Sequence, residues 1–258
     1  MEAIKVCYIQ ADLHWEDIDK NLEMFTDKSE GISENVDLLI LPEMFSTGFS
    51  MAPEKWSETE EGKALMWMKN MAVSKDCVVT GSVIIQEKGQ YFNRLFWVQP
   101  NGEYKSYNKR HLFSFAGEDE HYTSGTERLI VDLKGFKIMP LICYDLRFPV
   151  WSRNDVDYDL AIYVANWPER RSYYWKQLLI ARAIENQSYV IGVNRVGNDG
   201  NDIYHSGDSV CLDPLGGMVY SSKPGIEEVA CFQIERKVIQ TVREKFNFLN
   251  DQDAFQIT

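Results

Sequence analysis

The chain has 258 residues, 45% of them hydrophobic, and its 27 Lys and Arg against 39 Asp and Glu leave a formal charge of −12. A chain of this length buries a large core, and its acidity supplies no basic footprint for nucleic acid and no attraction to an acidic membrane surface. Its longest apolar runs fall far short of the ~20 residues that span a bilayer.

Met1-Glu2-Ala3-Ile4-Lys5 runs straight into an apolar segment, so no export signal is expected and a cytoplasmic setting is predicted. Residues 4–10 read as a strand and 15–28 as a helix. The apolar run 38–41 reads as a strand that ends in Pro42-Glu43-Met44-Phe45, and 60–75 carries helical periodicity. Strands follow at 78–86 and 91–99, with turns at Gly89-Gln90 and Asn101-Gly102. The strand 137–143 runs into Tyr144-Asp145-Leu146-Arg147-Phe148-Pro149, and 160–165 into Asn166-Trp167-Pro168. A helix over 173–186 and strands at 188–195, 209–212 and 229–234 complete the series.

Strands mixed with helices imply a layered α/β architecture with parallel and antiparallel pairs. With no linker, charge block or repeat, the chain reads as one domain, 1–258. The five cysteines (Cys7, Cys77, Cys143, Cys211, Cys231) are odd in number and scattered through strand-like sequence, a poor disulfide framework that fits a reducing compartment. Without a Cys-x-x-Cys pair, and with His14, His111, His121 and His205 isolated, neither a metal site nor a cofactor is expected.

Several residues could carry chemistry. Ligands of open α/β sheets collect beyond the carboxyl ends of strands, and three predicted strand ends carry polar or reactive groups. Cys143 sits where a strand turns, so its thiol can leave the sheet while the Tyr144 amide faces the same space, as at nucleophile elbows; the alternative is a buried cysteine acting as a small hydrophobe. Glu43, at the mouth of an apolar strand, is partly desolvated and suited to general-base work, or is an ion-paired surface turn. Lys109 belongs to a basic cluster with Lys105 and Arg110; it is either a solvated face or a cation for a thiolate and an oxyanion. Glu118 is equally ambiguous, and His111 fits a hydrogen-bonded structural role.

At these residues the sequence resembles the nitrilase, or carbon–nitrogen hydrolase, superfamily, whose Glu, Lys and Cys occur in that order in separate motifs. The matching segments are Leu41-Pro42-Glu43-Met44-Phe45-Ser46-Thr47-Gly48-Phe49, Tyr107-Asn108-Lys109-Arg110-His111-Leu112-Phe113 and Leu141-Ile142-Cys143-Tyr144-Asp145-Leu146-Arg147-Phe148-Pro149. The likeness continues through Ala181-Arg182-Ala183-Ile184-Glu185-Asn186-Gln187, His205-Ser206-Gly207-Asp208-Ser209 and Asp213-Pro214-Leu215-Gly216. It implies a four-layer α-β-β-α sandwich that pairs into a homodimer, with Cys143 as nucleophile, Glu43 as base and Lys109 with the Tyr144 amide as oxyanion donors. Glu118 then positions lysine and substrate.

The branch that fits best is the ω-amidases, in a bacterial form, acting with water on a small carboxylate-bearing amide such as 2-oxoglutaramate or 2-oxosuccinamate. The resemblance leaves open another amidase, a carbamoyl-amine hydrolase, a nitrilase or a non-catalytic scaffold. A carboxylate substrate needs a further cation. Arg147 is the candidate, unless it pairs with Asp145; Arg170 and Arg171 are alternatives read as solvated. Phe113, Phe115 and Trp167 are candidate apolar walls or core. Arg182 and Glu185 share a helix face as a structural ion pair or as support for the site. The segment Trp167-Pro168-Glu169-Arg170-Arg171 is shorter and more charged than in many eukaryotic ω-amidases, which puts chain-length preference in doubt.

Overall fold

In the computed structural model, which describes residues 3–32 and 35–257, strand β1 (Ala3–Gln10) shows why the apolar runs are nearly continuous. Ile4, Val6 and Tyr8 point to one face and Cys7 and Ile9 to the other, and both faces are buried. Helix α1 (Ile18–Glu30) follows, capped by the Asp17 side chain on the Lys20 N–H, then β2 (Leu38–Ile40). After α2 (Pro53–Trp56) and α3 (Lys63–Lys75) come β3 (Val78–Glu87), β4 (Gln90–Val98) and β5 (Tyr104–Asn108). A short helix α4 (Glu118–His121) leads to β6 (Val131–Leu133), β7 (Phe136–Ile142) and β8 (Leu160–Ala165). Helix α5 (Ser172–Asn186) precedes β9 (Tyr189–Asn194), β10 (Val196–Asn198), β11 (Tyr204–Ser206), β12 (Val210–Leu212), β13 (Met218–Ser221), β14 (Glu228–Glu235) and α6 (Arg236–Lys245).

Two six-stranded sheets result, ordered β14-β1-β2-β3-β4-β5 and β13-β12-β9-β8-β7-β6, beside the small pair β10-β11. Strands β1, β2 and β3 run parallel in the first, as do β7, β8 and β9 in the second. The sheets meet through Val6, Ile40, Leu95 and Trp97 on one side and Ile138, Ile142 and Ile162 on the other. Phe25 of α1 and Leu65 and Met68 of α3 cover the outer face of the first sheet, and Trp175, Leu179 and Ala183 of α5 cover the second. This is the α-β-β-α layering expected from the sequence.

The cysteine reading needs correction. Cys7 and Cys231 lie opposite each other in the antiparallel β1–β14 ladder and form a disulfide, leaving Cys77, Cys143 and Cys211 free. Adjacent-strand register brings together two residues 224 positions apart, which spacing along the chain does not reveal. No helix among the described residues is long and apolar enough to cross a membrane.

Candidate active site

The three strand ends converge. Glu43 follows β2 of the first sheet, while Cys143 and Asn166 follow β7 and β8 of the second. The Asn166 N–H donates to Glu43 Oε2 at 2.8 Å, and Asn166 Nδ2 donates to the Glu43 carbonyl at 2.6 Å. Glu43 Oε1 accepts from Asn93 Nδ2 at 2.8 Å and from Lys109 Nζ at 2.9 Å. Oε2 therefore keeps a lone pair, and the Cys143 thiol is close enough to this carboxylate for its charge to raise the thiol pKa.

Local structure explains each placement. Cys143 opens the one-turn 3-10 helix Cys143–Arg147 with φ +42°, the left-handed conformation of a strained elbow. In such a turn the N–H of Tyr144 has no intrahelical acceptor. Met44, directly after Glu43, is also left-handed at φ +43°. Lys109 leaves β5 with its N–H on the Asn93 carbonyl, and the Gly125 N–H donates to its own carbonyl. A Cβ on Gly125 would sit 2.2 Å from the Asn108 oxygen, so only glycine permits this approach. Arg94 holds the same segment through Nε to Asn108 Oδ1 at 2.7 Å.

Lys109 is gripped from two sides. Its Nζ donates to Glu43 and to both oxygens of Glu118, at 3.0 and 2.9 Å, and Glu118 also accepts the Phe113 N–H. Burial disfavours the ammonium, but the Glu118 and Glu43 carboxylates outweigh it and raise its pKa. Burial raises the Glu118 carboxyl against the pull of Lys109. Burial, then the Glu43 charge, pushes the Cys143 thiol well above its ordinary range. The resting centre thus holds a neutral thiol beside a base, with an ammonium fixed at hand.

A second buried network joins the Lys109 segment to the Cys143 turn. Asp145 is fully buried and accepts from Tyr107 Oη (2.7 Å), the His111 N–H (3.0 Å), His111 Nδ1 (2.8 Å) and the Ile142 N–H (3.0 Å). His111 stacks on Phe148, with ring centroids 3.7 Å apart. Arg182 pairs with Glu185 at 2.8 Å and also donates to the Leu146 carbonyl at 2.7 Å, so it braces the same turn from α5.

Above Cys143 opens a cavity of about 260 Å³. Phe113, Phe115, Tyr144 and Trp167 line it, together with Lys109, Asn166, Arg147, Arg170 and Arg171. Arg147 does not pair with Asp145; its guanidinium lies 4.9 Å from the Trp167 ring and 5.4 Å from that of Tyr174. Arg170 is exposed, whereas Arg171, read from sequence as solvated, is half-buried with its guanidinium 5.0 Å from the Phe113 ring. The sequence does not single out Asn93; a buried amide between Phe92 and Arg94 in β4 is its only signal. The Asp145 network was equally invisible, because Tyr107 and Asp145 meet across 38 residues.

The fold, with Cys143, Glu43 and Lys109 gathered at one cavity, is that of a carbon–nitrogen hydrolase. The carbon–nitrogen hydrolase family model matches residues 5–244. The omega-amidase YafV of Yersinia enterocolitica is 44% identical across 99% of both chains, and the 2-oxoglutaramate amidase of Bacillus subtilis 33% identical across 90% of each. A CN-hydrolase superfamily protein of Xanthomonas campestris, solved with an arsenic adduct in its active site, superposes with a TM-score of 0.97 at 40% identity, covering all of both chains. The chain belongs to the carbon–nitrogen hydrolase family of the nitrilase superfamily.

Proposed function

We propose that the protein is an ω-amidase, hydrolysing 2-oxoglutaramate or 2-oxosuccinamate to the dicarboxylate and ammonia through a thioester on Cys143. The observation that carries this reading is the meeting of Glu43, Lys109 and Cys143 beneath a cavity walled by arginines, in a chain similar to an omega-amidase and a 2-oxoglutaramate amidase.

The chemistry follows from the hydrogen bonds. Glu43 Oε2 takes the thiol proton as sulfur attacks the amide carbon, so the high thiol pKa is met by a base in contact rather than by bulk ionisation. The oxyanion lies between the Lys109 ammonium and the Tyr144 N–H; a donor of this kind is worth about 10²–10³ in rate. Protonated Glu43 passes its proton to the leaving nitrogen, the C–N bond breaks and ammonia departs. The same carboxylate then deprotonates a water that hydrolyses the thioester. Glu118 holds Lys109 in place throughout. Arg147 grips the substrate carboxylate with its planar fork, while Phe113 and Trp167 wall the carbon chain.

One domain spanning 1–258, a homodimer and a cytoplasmic setting accompany the proposal. Exposed Ile184, Leu215 and Met218 around α5 and the β12–β13 turn support self-association. Ammonia release from 2-oxoglutaramate tests the reading. Cys143→Ala is expected to abolish release with unchanged thermal unfolding; near-normal turnover by that variant refutes the assignment. Carbon dioxide released with the ammonia would indicate a carbamoyl substrate instead.

A further inference from the structure

Arg147, Arg170 and Arg171 line one cavity in a chain of formal charge −12, and no carboxylate among the described residues forms an ion pair with any of them. Two are not simply solvated. The Arg147 guanidinium rests over Trp167 and Tyr174, and that of Arg171 over Phe113, so ring faces hold them at the cavity while their N–H groups donate to no protein acceptor among the described residues. Guanidinium groups whose N–H donors open into the cavity with no protein acceptor are free to pair with acceptors that a ligand brings. One substrate carboxylate occupies one fork. The second guanidinium then needs another acceptor on the same ligand.

We propose that Arg171, working beside Arg147, selects the 2-oxo acid form of the ω-amide over the 2-amino acid form. This rests on the ω-amidase reading above. A 2-oxo acid presents a carboxylate and, next to it, a carbonyl oxygen that accepts a hydrogen bond from Arg171. Glutamine or asparagine presents at that carbon an ammonium, which has no acceptor and carries the same sign as both guanidinium groups. Discrimination of this kind combines an attraction with a repulsion. A site built to hydrogen-bond one substituent rejects the analogue that leaves its donors unpaired. Asp199, the carboxylate on the cavity lining, does not serve as counter-ion: its Oδ1 accepts the N–H groups of Asn201 and Ile203 at 2.8 and 3.0 Å. Burial, followed by the charge of Arg170, lowers the Arg171 pKa, in keeping with cations gathered without a partner.

The test measures kcat/KM for 2-oxoglutaramate, glutamine and glutaramate, which carries no 2-substituent, in the wild type, Arg171→Gln and Arg171→Lys. The wild type is expected to prefer 2-oxoglutaramate to glutamine strongly. In Arg171→Gln that preference falls about tenfold or more, relative to glutaramate, as the oxo group loses its donor and the ammonium loses its repulsion. Arg171→Lys keeps the charge but not the planar fork, so it still rejects glutamine while losing on 2-oxoglutaramate. An unchanged preference in Arg171→Gln, or an equal loss on all three amides, overturns the inference while leaving the ω-amidase reading intact. Should Arg171→Gln fail to fold, Arg171→Lys decides, and undiminished preference for the oxo acid over glutaramate overturns it. A wild type inactive on both 2-oxoglutaramate and glutaramate overturns the ω-amidase reading, and this inference with it.

Discussion

Replacing Asp145 by Asn tests whether the nucleophile turn depends on one buried carboxylate. The amide matches the carboxylate in shape but turns one acceptor oxygen into a donor. Oδ1 serves the two His111 donors, and Oδ2 serves Tyr107 Oη and the Ile142 N–H. An NH₂ group at the Oδ2 position faces two donors, whereas at the Oδ1 position it can donate to His111 Nδ1 in the other imidazole tautomer and leaves one donor, the His111 N–H, unpaired. Tyr107 cannot turn to accept. Its oxygen already accepts from Trp151 Nε1 at 3.0 Å and the Arg110 N–H at 3.2 Å, so its own proton must go to Asp145. At about 1–3 kcal/mol for a buried donor without a partner, Asp145→Asn in its better orientation loses about 1–3 kcal/mol, a sizeable share of the roughly 5–15 kcal/mol that holds a domain folded. Urea unfolding followed by tryptophan fluorescence measures that loss. Ammonia release on the still-folded fraction is expected to drop at least about tenfold, because the weakened network sets both the lysine segment and the Cys143 turn. Stability within about 0.5 kcal/mol of wild type, together with full activity, would refute the argument.

The neutral, buried Cys143 thiol predicts that iodoacetamide modifies the free enzyme at a rate that keeps rising with pH; a plateau near the ordinary thiol range, about pH 8.5, would show a thiolate formed without substrate. Unfolded without reductant, the chain should show three titratable thiols and, after reduction, all five; Cys231→Ser should cost about 2–5 kcal/mol of stability, and five thiols without reductant would contradict the pairing. His205 is held neutral by burial and then by the Arg195 charge, its pKa pushed down from 6.5 to about 4. The unfolded chain therefore takes up this proton at higher pH than the folded one. The contribution is complete above pH 6.5 and is lost as pH falls towards 4, by about 3 kcal/mol. Denaturation midpoints of wild type and His205→Gln should approach each other across that window, and parallel curves would exclude the effect.

The parts of the fold legible in the sequence are those buried on both sides. Strands β1, β3, β7 and β8 are near-continuous apolar runs because each separates two packed layers, so composition alone marks them. Strand β5 escapes the same reading: Tyr104–Asn108 is an edge strand in which Tyr107 alone is fully buried. Helix α6 escapes as well, because only Ile239 and Val242 of its ten residues are buried. Helix α4, four residues long, is hidden by its own charge, though it carries Glu118 into the site.

The candidate catalytic residues stood out as residue types within motifs, whereas their meeting did not. Glu43 and Asn166 lie 123 positions apart in different sheets, and neither neighbourhood signals the other. Their two mutual hydrogen bonds tie the end of β2 to the end of β8, so the sheet-to-sheet packing itself brings the base to the thiol. That geometry is a property of how two apolar faces stack, set by side chains such as Trp97 and Ile138 away from the reacting atoms. Residues whose role is to hold the base and the turn, Asn93 and Asp145 above all, acquire meaning only after that stacking has formed, and no local pattern could have announced them.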